Sequence, residues 1–196
     1  MWYRLFRQLF RMLFFCLYRW EVTGKEKVPA QGPVVVCCNH INNLDPPLVG
    51  SALKRQVRFM AKEELFKIPV ISWLIRRFGA FPVSRGSTDK RALKTALELL
   101  KDGELLGVFP EGTRSKTGEL GQAHSGAAFI ALKSDAVLVP AAITGYYRPF
   151  GKIRIRFGDP IDLTPYRQDR MNSQTVRAVT ERMMGEIQSL KEQAGG

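Results

Sequence analysis

The chain has 196 residues, 45% of them hydrophobic, which suits one domain with a real core and a short appendage. Lys and Arg number 30 against 18 Asp and Glu, a formal net charge of +12 that draws polyanions: nucleic acid, anionic lipid surfaces, or phosphorylated and acidic-carrier substrates. The composition excludes collagen-like repetition and wholesale disorder. Its three cysteines, Cys16, Cys37 and Cys38, are odd in number and lack C-x-x-C spacing, which argues against a disulfide framework or zinc site and for a reducing cytoplasmic setting.

Residues 1–20, MWYRLFRQLFRMLFFCLYRW, carry four arginines and no acid. On a helix Arg4, Arg7, Gln8, Arg11 and Arg19 share one side, and Leu5, Phe6, Leu9, Leu13, Phe14 and Leu17 lie away from that stripe. A spanning helix needs about 20 mostly apolar residues, and Arg11 interrupts this segment at its midpoint. No small-residue cleavage site follows, so a signal peptide fits no better. Two readings remain: an amphipathic helix lying in the headgroup layer of a membrane, or a helix whose apolar face packs on the domain. The first is the stronger, giving an interface helix over 1–20 and a globular domain over 21–196.

Beyond Trp20 the pattern alternates between strands and helices. EVTGKEKVP reads as a short strand and turn, and GPVVVCCN as a buried strand of β-branched and small residues. LDPPLVGSALKR reads as a helix with prolines in its first turn. QVRFMAK alternates as a strand, PVISWLIRRFG is helical to Gly79, and AFPVS is a short strand. In STDKRALKTALELLKDG, Ser87 or Thr88 is the expected N-cap, Leu93, Ala96, Leu97 and Leu100 the apolar face, and Gly103 the terminator. ELLGVFPEG is an apolar strand ending in a turn, and AHSGAAFIALKSD a small-residue helix before the strand AVLVPAAIT. KIRIRFG alternates strictly and is expected on a sheet edge. A last helix from about Ser173 presents Val176, Val179, Met183, Ile187 and Leu190 on one face. The succession predicts an α/β fold, a mixed and largely parallel sheet flanked by helices. Ligands of such sheets collect at the carboxyl ends of the strands, where each polar motif of this chain falls.

His40 and Asp45, in NHINNLD, follow the apolar run VVVCC. A neutral imidazole beside a carboxylate can take a proton from an alcohol; the same residues also suit a polar turn capped by Asp45 at a helix start. There is no G-x-S-x-G elbow for a nucleophilic serine, so attack by a substrate hydroxyl is the more economical scheme. In VFPEGTRS, Gly112 admits close backbone approach, Arg114 offers a fork for phosphate, and Glu111 can accept from a substrate hydroxyl or hold Arg114. Arg85, in GAFPVSRG, and Lys62, in FMAKEEL, end strands and suit an anion, though exposed cations are the plainer reading of each. His124 reads as a helix-start residue. No ligand spacing supports a metal site.

Four of these blocks, in this order, resemble the glycerolipid acyltransferases, in particular the 1-acyl-sn-glycerol-3-phosphate (lysophosphatidic acid) acyltransferases. NHINNLD is similar to that family's H-x-x-x-x-D box, GAFPVSR to its glycine-to-arginine block, FPEGTRS to its most diagnostic block, and LVPAAI to a strand with an embedded proline. The resemblance implies His40 as the base with Asp45 orienting it. It implies Arg85, Glu111, Gly112, Thr113 and Arg114 holding the glycerol-phosphate, with Phe81 nearby, Lys62 a weaker candidate, and Pro140 shaping the site or acyl channel. The expected reaction passes a fatty acyl group to the 2-hydroxyl of the acceptor, giving phosphatidic acid. The co-substrate is acyl-coenzyme A or acyl-acyl carrier protein, and no other cofactor or nucleic acid is expected. Anionic membrane lipid is the expected partner, at the cytoplasmic face of the cell membrane. The rivals are an acyltransferase of the same fold acting on glycerol-3-phosphate or another lysolipid, and a non-catalytic basic membrane protein.

Overall fold

The computed structural model describes residues 2–84, 89–168 and 171–195. Seven strands alternate with helices in chain order: α1 (Trp2–Leu17), β1 (Arg19–Thr23), β2 (Val34–Cys38), α2 (Asp45–Ala52), β3 (Val57–Lys62), α3 (Pro69–Arg77), β4 (Phe81–Val83), α4 (Lys90–Lys101), β5 (Leu105–Val108), α5 (Gly126–Lys133), β6 (Val137–Gly145), β7 (Lys152–Phe157), α6 (Thr164–Arg167) and α7 (Ser173–Gly195). The sheet order is β1-β7-β6-β2-β5-β3-β4. Five neighbouring strands from β6 to β4 are mutually parallel, and the β6–β7 pair is antiparallel. The expected α/β architecture is therefore present.

Strand β2 is buried at every position because both faces of the sheet are covered. Val35 and Cys37 face one core, shared with Leu106, Leu138, Ala142 and the apolar faces of α4, α5 and α7. Val34, Val36 and Cys38 face the other, with Leu48 and Val49 of α2 and Phe14 of α1. The period of two along the strand thus serves two layers of helix. The sequence-predicted face of the last helix, Val176 through Leu190, is buried in the first of these cores.

Two local expectations are corrected. Strand β7 lies inside the sheet, paired with β1 on one side and β6 on the other, and β1 is the edge. Its alternation arises because Ile153, Ile155 and Phe157 enter the core while the arginines between them face the other way. The N-cap of α4 is Asp89, whose carboxylate accepts from the backbone N–H groups of Arg91 and Ala92, each at 3.0 Å. Ser87 and Thr88, the expected caps, lie outside the described residues.

Helix α1 stops at Leu17, and Arg19 and Trp20 already belong to β1. Its apolar surface is divided. Phe6 and Phe10 meet Phe78 at 5.2 and 5.3 Å between ring centres, Phe6 meets Trp73 of α3 at 6.0 Å, and Phe14 is fully buried. Arg7 turns inward too, its guanidinium donating to the carbonyls of Leu53 and Lys54 after α2. Leu5, Leu9, Met12 and Phe15 remain exposed beside Arg4 and Arg11. One face of the helix thus packs on the domain, as the second sequence reading expects, and another stays exposed.

Candidate active site

Because β6, β2, β5, β3 and β4 run parallel, their carboxyl ends open on one edge of the sheet. From β2 the chain leaves through Asn39, whose buried side-chain amide accepts from Ile143 N at 2.7 Å and donates to Ile143 O at 2.9 Å. This extends the β2–β6 pairing by a side chain and fixes the direction in which His40 emerges. His40 then lies in the loop before α2, and Asp45 is the first residue of that helix.

His40 Nδ1 stands 2.7 Å from Asp45 Oδ2. The same oxygen accepts from Ile41 N at 2.6 Å and Asn42 N at 2.7 Å. An ionised carboxylate only accepts, so Nδ1 carries a proton, and in the neutral imidazole Nε2 is then the nitrogen with the lone pair. Asp45 is fully buried and His40 keeps a 14% exposed side chain, so the imidazole faces the opening and the carboxylate does not. Phe109, at the end of β5, lies 4.2 Å under the imidazole at 21° and in turn stacks on Phe59 at 5.9 Å. A ring held on its edge and its face has little freedom to turn from that hydrogen bond. Asp45 also ties down the loop's backbone, as the polar-turn reading expects.

Glu111 enters from the turn after β5. Its Oε1 accepts from His40 N at 2.9 Å and its Oε2 from Gly121 N at 2.7 Å, with the residue 5% exposed. Among the described residues no ion pair joins it to Arg114. Glu111 therefore clamps the His40 loop to two points of the long β5–α5 loop, and the bond from Ser115 N to His40 O at 2.7 Å adds a second tie between the β2 and β5 exits. Gly112 has φ +65, and a Cβ there would sit 3.0 Å from the ring of His124, which packs on this turn. His124 belongs to the loop before α5, with its N–H on the Pro110 carbonyl. Thr113 and Arg114 are exposed at the tip.

Lys62, at the end of β3, pairs with Glu64 at 3.0 Å. Phe81 opens β4 and is half-buried against the α4–α5 core. Arg85 lies outside the described residues. Pro140 sits within β6 opposite Cys37, a sheet position rather than a loop. Cys37 and Cys38 are buried within β2, and burial pushes both thiols up in pKa, away from thiolate chemistry. Along the strand order His40 thus stands between β6 on one side and the exits of β5 and β3, which carry Arg114 and Lys62, on the other.

A family profile described as Acyltransferase matches residues 19–144, which include His40, Asp45, Glu111 and Arg114. The chain belongs to the acyltransferase family. It is 33% identical over 178 residues to 1-acyl-sn-glycerol-3-phosphate acyltransferase of Bacillus subtilis, covering 87% of each chain. It is 31% identical over 191 residues to the protein of the same name from Streptococcus pneumoniae, covering 90% of this chain and 70% of that one. Among solved structures it is similar to the 1-acyl-sn-glycerophosphate (LPA) acyltransferase PlsC of Thermotoga maritima, with a TM-score of 0.76 and 27% identity over 96% of this chain and 80% of that one.

This acyltransferase has site contacts that the sequence reading missed. Tyr147, just beyond β6, donates its hydroxyl to Asp45 Oδ1 at 2.6 Å. Burial, and after it the Asp45 charge, raises the phenol's pKa, so it remains a donor throughout the neutral range. A signal existed: four parallel strands had been followed to their polar ends, and the fifth ends in GYYRPFG. Phe109 was missed for a different reason, since a ring's stacking partner leaves no mark on sequence spacing.

Proposed function

We propose that this acyltransferase passes a fatty acyl group from an acyl thioester to the 2-hydroxyl of 1-acyl-sn-glycerol-3-phosphate, giving phosphatidic acid, with His40 as general base. The observation that carries the reading is the hydrogen bond between His40 Nδ1 and buried Asp45, which leaves Nε2 free at the opening. Nε2 takes the acceptor's hydroxyl proton as its oxygen attacks the thioester carbonyl. Asp45 stabilises the imidazolium that forms, and that proton passes to the departing thiolate as the tetrahedral intermediate collapses. A base so placed contributes about 10²–10⁴-fold in rate.

The acceptor follows from the names of the relatives in Bacillus subtilis and Streptococcus pneumoniae, and the cations fit it. Arg114, with Thr113 and Gly112, holds the glycerol-phosphate on the β5 side of the base, Lys62 assists, and Arg85 is a further cation for the same phosphate. Glu111 serves through the backbone it holds. The donor is acyl-coenzyme A or acyl-acyl carrier protein, and both are anionic. No metal or other cofactor enters the scheme.

The acceptor lives in a bilayer, and α1 supplies the means to meet it. No described helix is long and apolar enough to cross a membrane, so the proposed contact is peripheral, at the cytoplasmic face. The exposed Leu5, Leu9, Met12 and Phe15 lie among arginines, each worth about 1 kcal/mol at an anionic surface. Val70 and Trp73 of α3 continue this surface, with Trp2 and Trp73 6.4 Å apart.

Acyl transfer to 1-acyl-sn-glycerol-3-phosphate in mixed micelles, with labelled acyl-coenzyme A or acyl-carrier protein, tests the proposal. Phosphatidic acid from the wild type and none from a folded His40→Ala variant supports both reaction and base. No product from either donor overturns the acceptor, and glycerol-3-phosphate and other lysolipids become the next candidates. Undiminished product from the variant overturns the base.

A further inference from the structure

Between β6 and β7 the chain turns through residues 145–151, and the side chains of this hairpin separate sharply. Tyr146 and Phe150 are 73% and 72% exposed, among the most exposed large apolar groups of the described residues. Arg148 lies between them with its guanidinium 5.7 Å over the Tyr146 ring. Tyr147 turns the opposite way, to Asp45 and, edge to face at 5.8 Å, to Tyr18. Residues 145–152, GYYRPFGK, contain two cations and no acid.

The outward pose of the aromatics is built in. Phe150 has φ 59, a left-handed conformation that bulky residues rarely adopt. It is held there by its N–H on the Leu17 carbonyl at 2.7 Å, while Arg19 N donates to Gly151 O at 2.9 Å. Gly145 has φ 102, and a Cβ there would run into the Lys152 carbonyl, so the turn admits no bulkier start. The structure thus accepts backbone strain to present a phenyl ring to the outside, which needs an apolar recipient.

Position indicates the recipient. The hairpin leaves β6 at the sheet edge that carries His40, and it is tied to the last turn of α1. Along α1, whose 16 residues extend about 24 Å, Leu5, Leu9, Met12 and Phe15 lead from the α3 side toward Leu17, the residue that holds Phe150. We infer that the β6–β7 hairpin is a second lipid-contact element, seating Tyr146, Arg148 and Phe150 in the headgroup layer of an anionic bilayer beside the catalytic pair. Aromatic rings with a polar edge and a snorkelling arginine suit that layer. The inference extends the membrane reading proposed above and rests on it. It also makes docking and catalysis share one element, because Tyr147 lies between two lipid-facing residues and holds Asp45.

The test uses the full chain carrying Tyr146→Ser with Phe150→Asn, asparagine being tolerant of a left-handed backbone, and separately Arg148→Glu. Three quantities are read: co-sedimentation with phosphatidylglycerol–phosphatidylcholine vesicles without substrate, acyl transfer to a long-chain acceptor in those vesicles, and transfer to a short-chain acceptor below its micellar concentration. For the aromatic variant, vesicle binding should weaken by about tenfold or more. Turnover in vesicles should fall with it, and transfer to the dispersed acceptor should stay at the wild-type rate. Arg148→Glu should lose binding to the anionic vesicles while keeping its affinity for purely zwitterionic ones. Undiminished vesicle binding in both variants overturns the proposal. So does an equal loss on dispersed and embedded acceptors, which marks a structural role, or an unchanged vesicle affinity with a raised KM for carrier protein, which marks a donor dock. If the wild type acylates neither acceptor, the acceptor reading fails, and the vesicle-binding arm still decides the hairpin.

Discussion

The Tyr147 hydroxyl reaches Asp45 Oδ1 at 2.6 Å across 102 residues of sequence. Oδ2 of the same carboxylate takes three donors from the His40 loop, so Tyr147 supplies the donor on the other oxygen of a fully buried charge. Replacing Tyr147 with Phe leaves that oxygen bare. The expected outcome is a fall in kcat of about tenfold, the scale of one hydrogen bond to a charged group. KM for donor and acceptor should not change. An unaltered kcat, or a change in KM alone, would remove Tyr147 from the positioning machinery.

The same phenol predicts a stability trend in alkali. Burial raises its pKa in the folded protein above the ordinary value. As pH climbs past about 10 the unfolded chain loses a proton that the folded one keeps, so stability falls with rising pH there, by at most about 1.4 kcal/mol per pH unit for this group. Denaturant titrations from pH 9 upward should show a shallower decline in Tyr147→Phe than in the wild type. Parallel declines would mean that the buried phenol ionises as readily in the folded protein as in the unfolded one.

Asp45→Asn should be more damaging than its small change in shape suggests. An amide can present its NH2 group to donors that need an acceptor, and it no longer favours the Nδ1–H tautomer of His40. Turnover should drop by about 10²–10⁴-fold, comparable with His40→Ala. The two differ in stability: Asp45→Asn disturbs four hydrogen bonds and should lower the melting temperature, whereas His40→Ala loses a partly exposed ring. Calorimetry beside initial rates separates them, and an Asp45→Asn enzyme with near-normal turnover would sink the dyad.

Much of this was legible in the sequence because the strands announce themselves. VVVCC and LLGV are apolar throughout, and VLVPAAIT is apolar up to its last residue, so their place in a two-sided parallel sheet, and the polar residues at their ends, follow from pattern alone. His40 and Asp45 lie five residues apart, and a short loop brings them together. Pairing order was less legible: KIRIRFG alternates as an edge strand would, and only the return of residues 19–23 to cover it places β7 inside. The division of α1 was half legible. Its periodicity shows an apolar arc, and nothing local indicates that Phe78 and Trp73 will take one side of it. Glu111 illustrates a further limit, for its partners are backbone N–H groups at residues 40 and 121, which carry no side-chain signature.

That placement of Glu111 makes a specific prediction. Glu111→Ala leaves two inward-facing N–H groups without acceptors, at a cost of about 1–3 kcal/mol each if water does not replace them. The variant should lose both stability and turnover, with the turnover loss appearing in kcat as the His40 loop drifts. Glu111→Gln keeps one good acceptor and should recover part of each. A Glu111→Ala enzyme with wild-type stability and a raised acceptor KM would instead assign the residue to substrate binding.

Arg114 provides the opposite signature. It stands exposed beyond the clamp, at a turn whose backbone is fixed by Gly112 and by the bond from Ser115 N to His40 O. Its removal should therefore spare the fold and weaken only the hold on phosphate. A charge-assisted contact of about 1.5–3 kcal/mol corresponds to a rise of about 10–100-fold in KM for 1-acyl-sn-glycerol-3-phosphate on Arg114→Ala. Lys62→Ala should cost less, because that ammonium is already shared with Glu64. The control is an acceptor without the phosphate, 1-acylglycerol. The wild type should use it poorly and Arg114→Ala no worse, so that the two enzymes converge on it. If Arg114→Ala handicaps both acceptors equally, the guanidinium acts on the loop or on the thioester donor and the phosphate lies elsewhere along the edge.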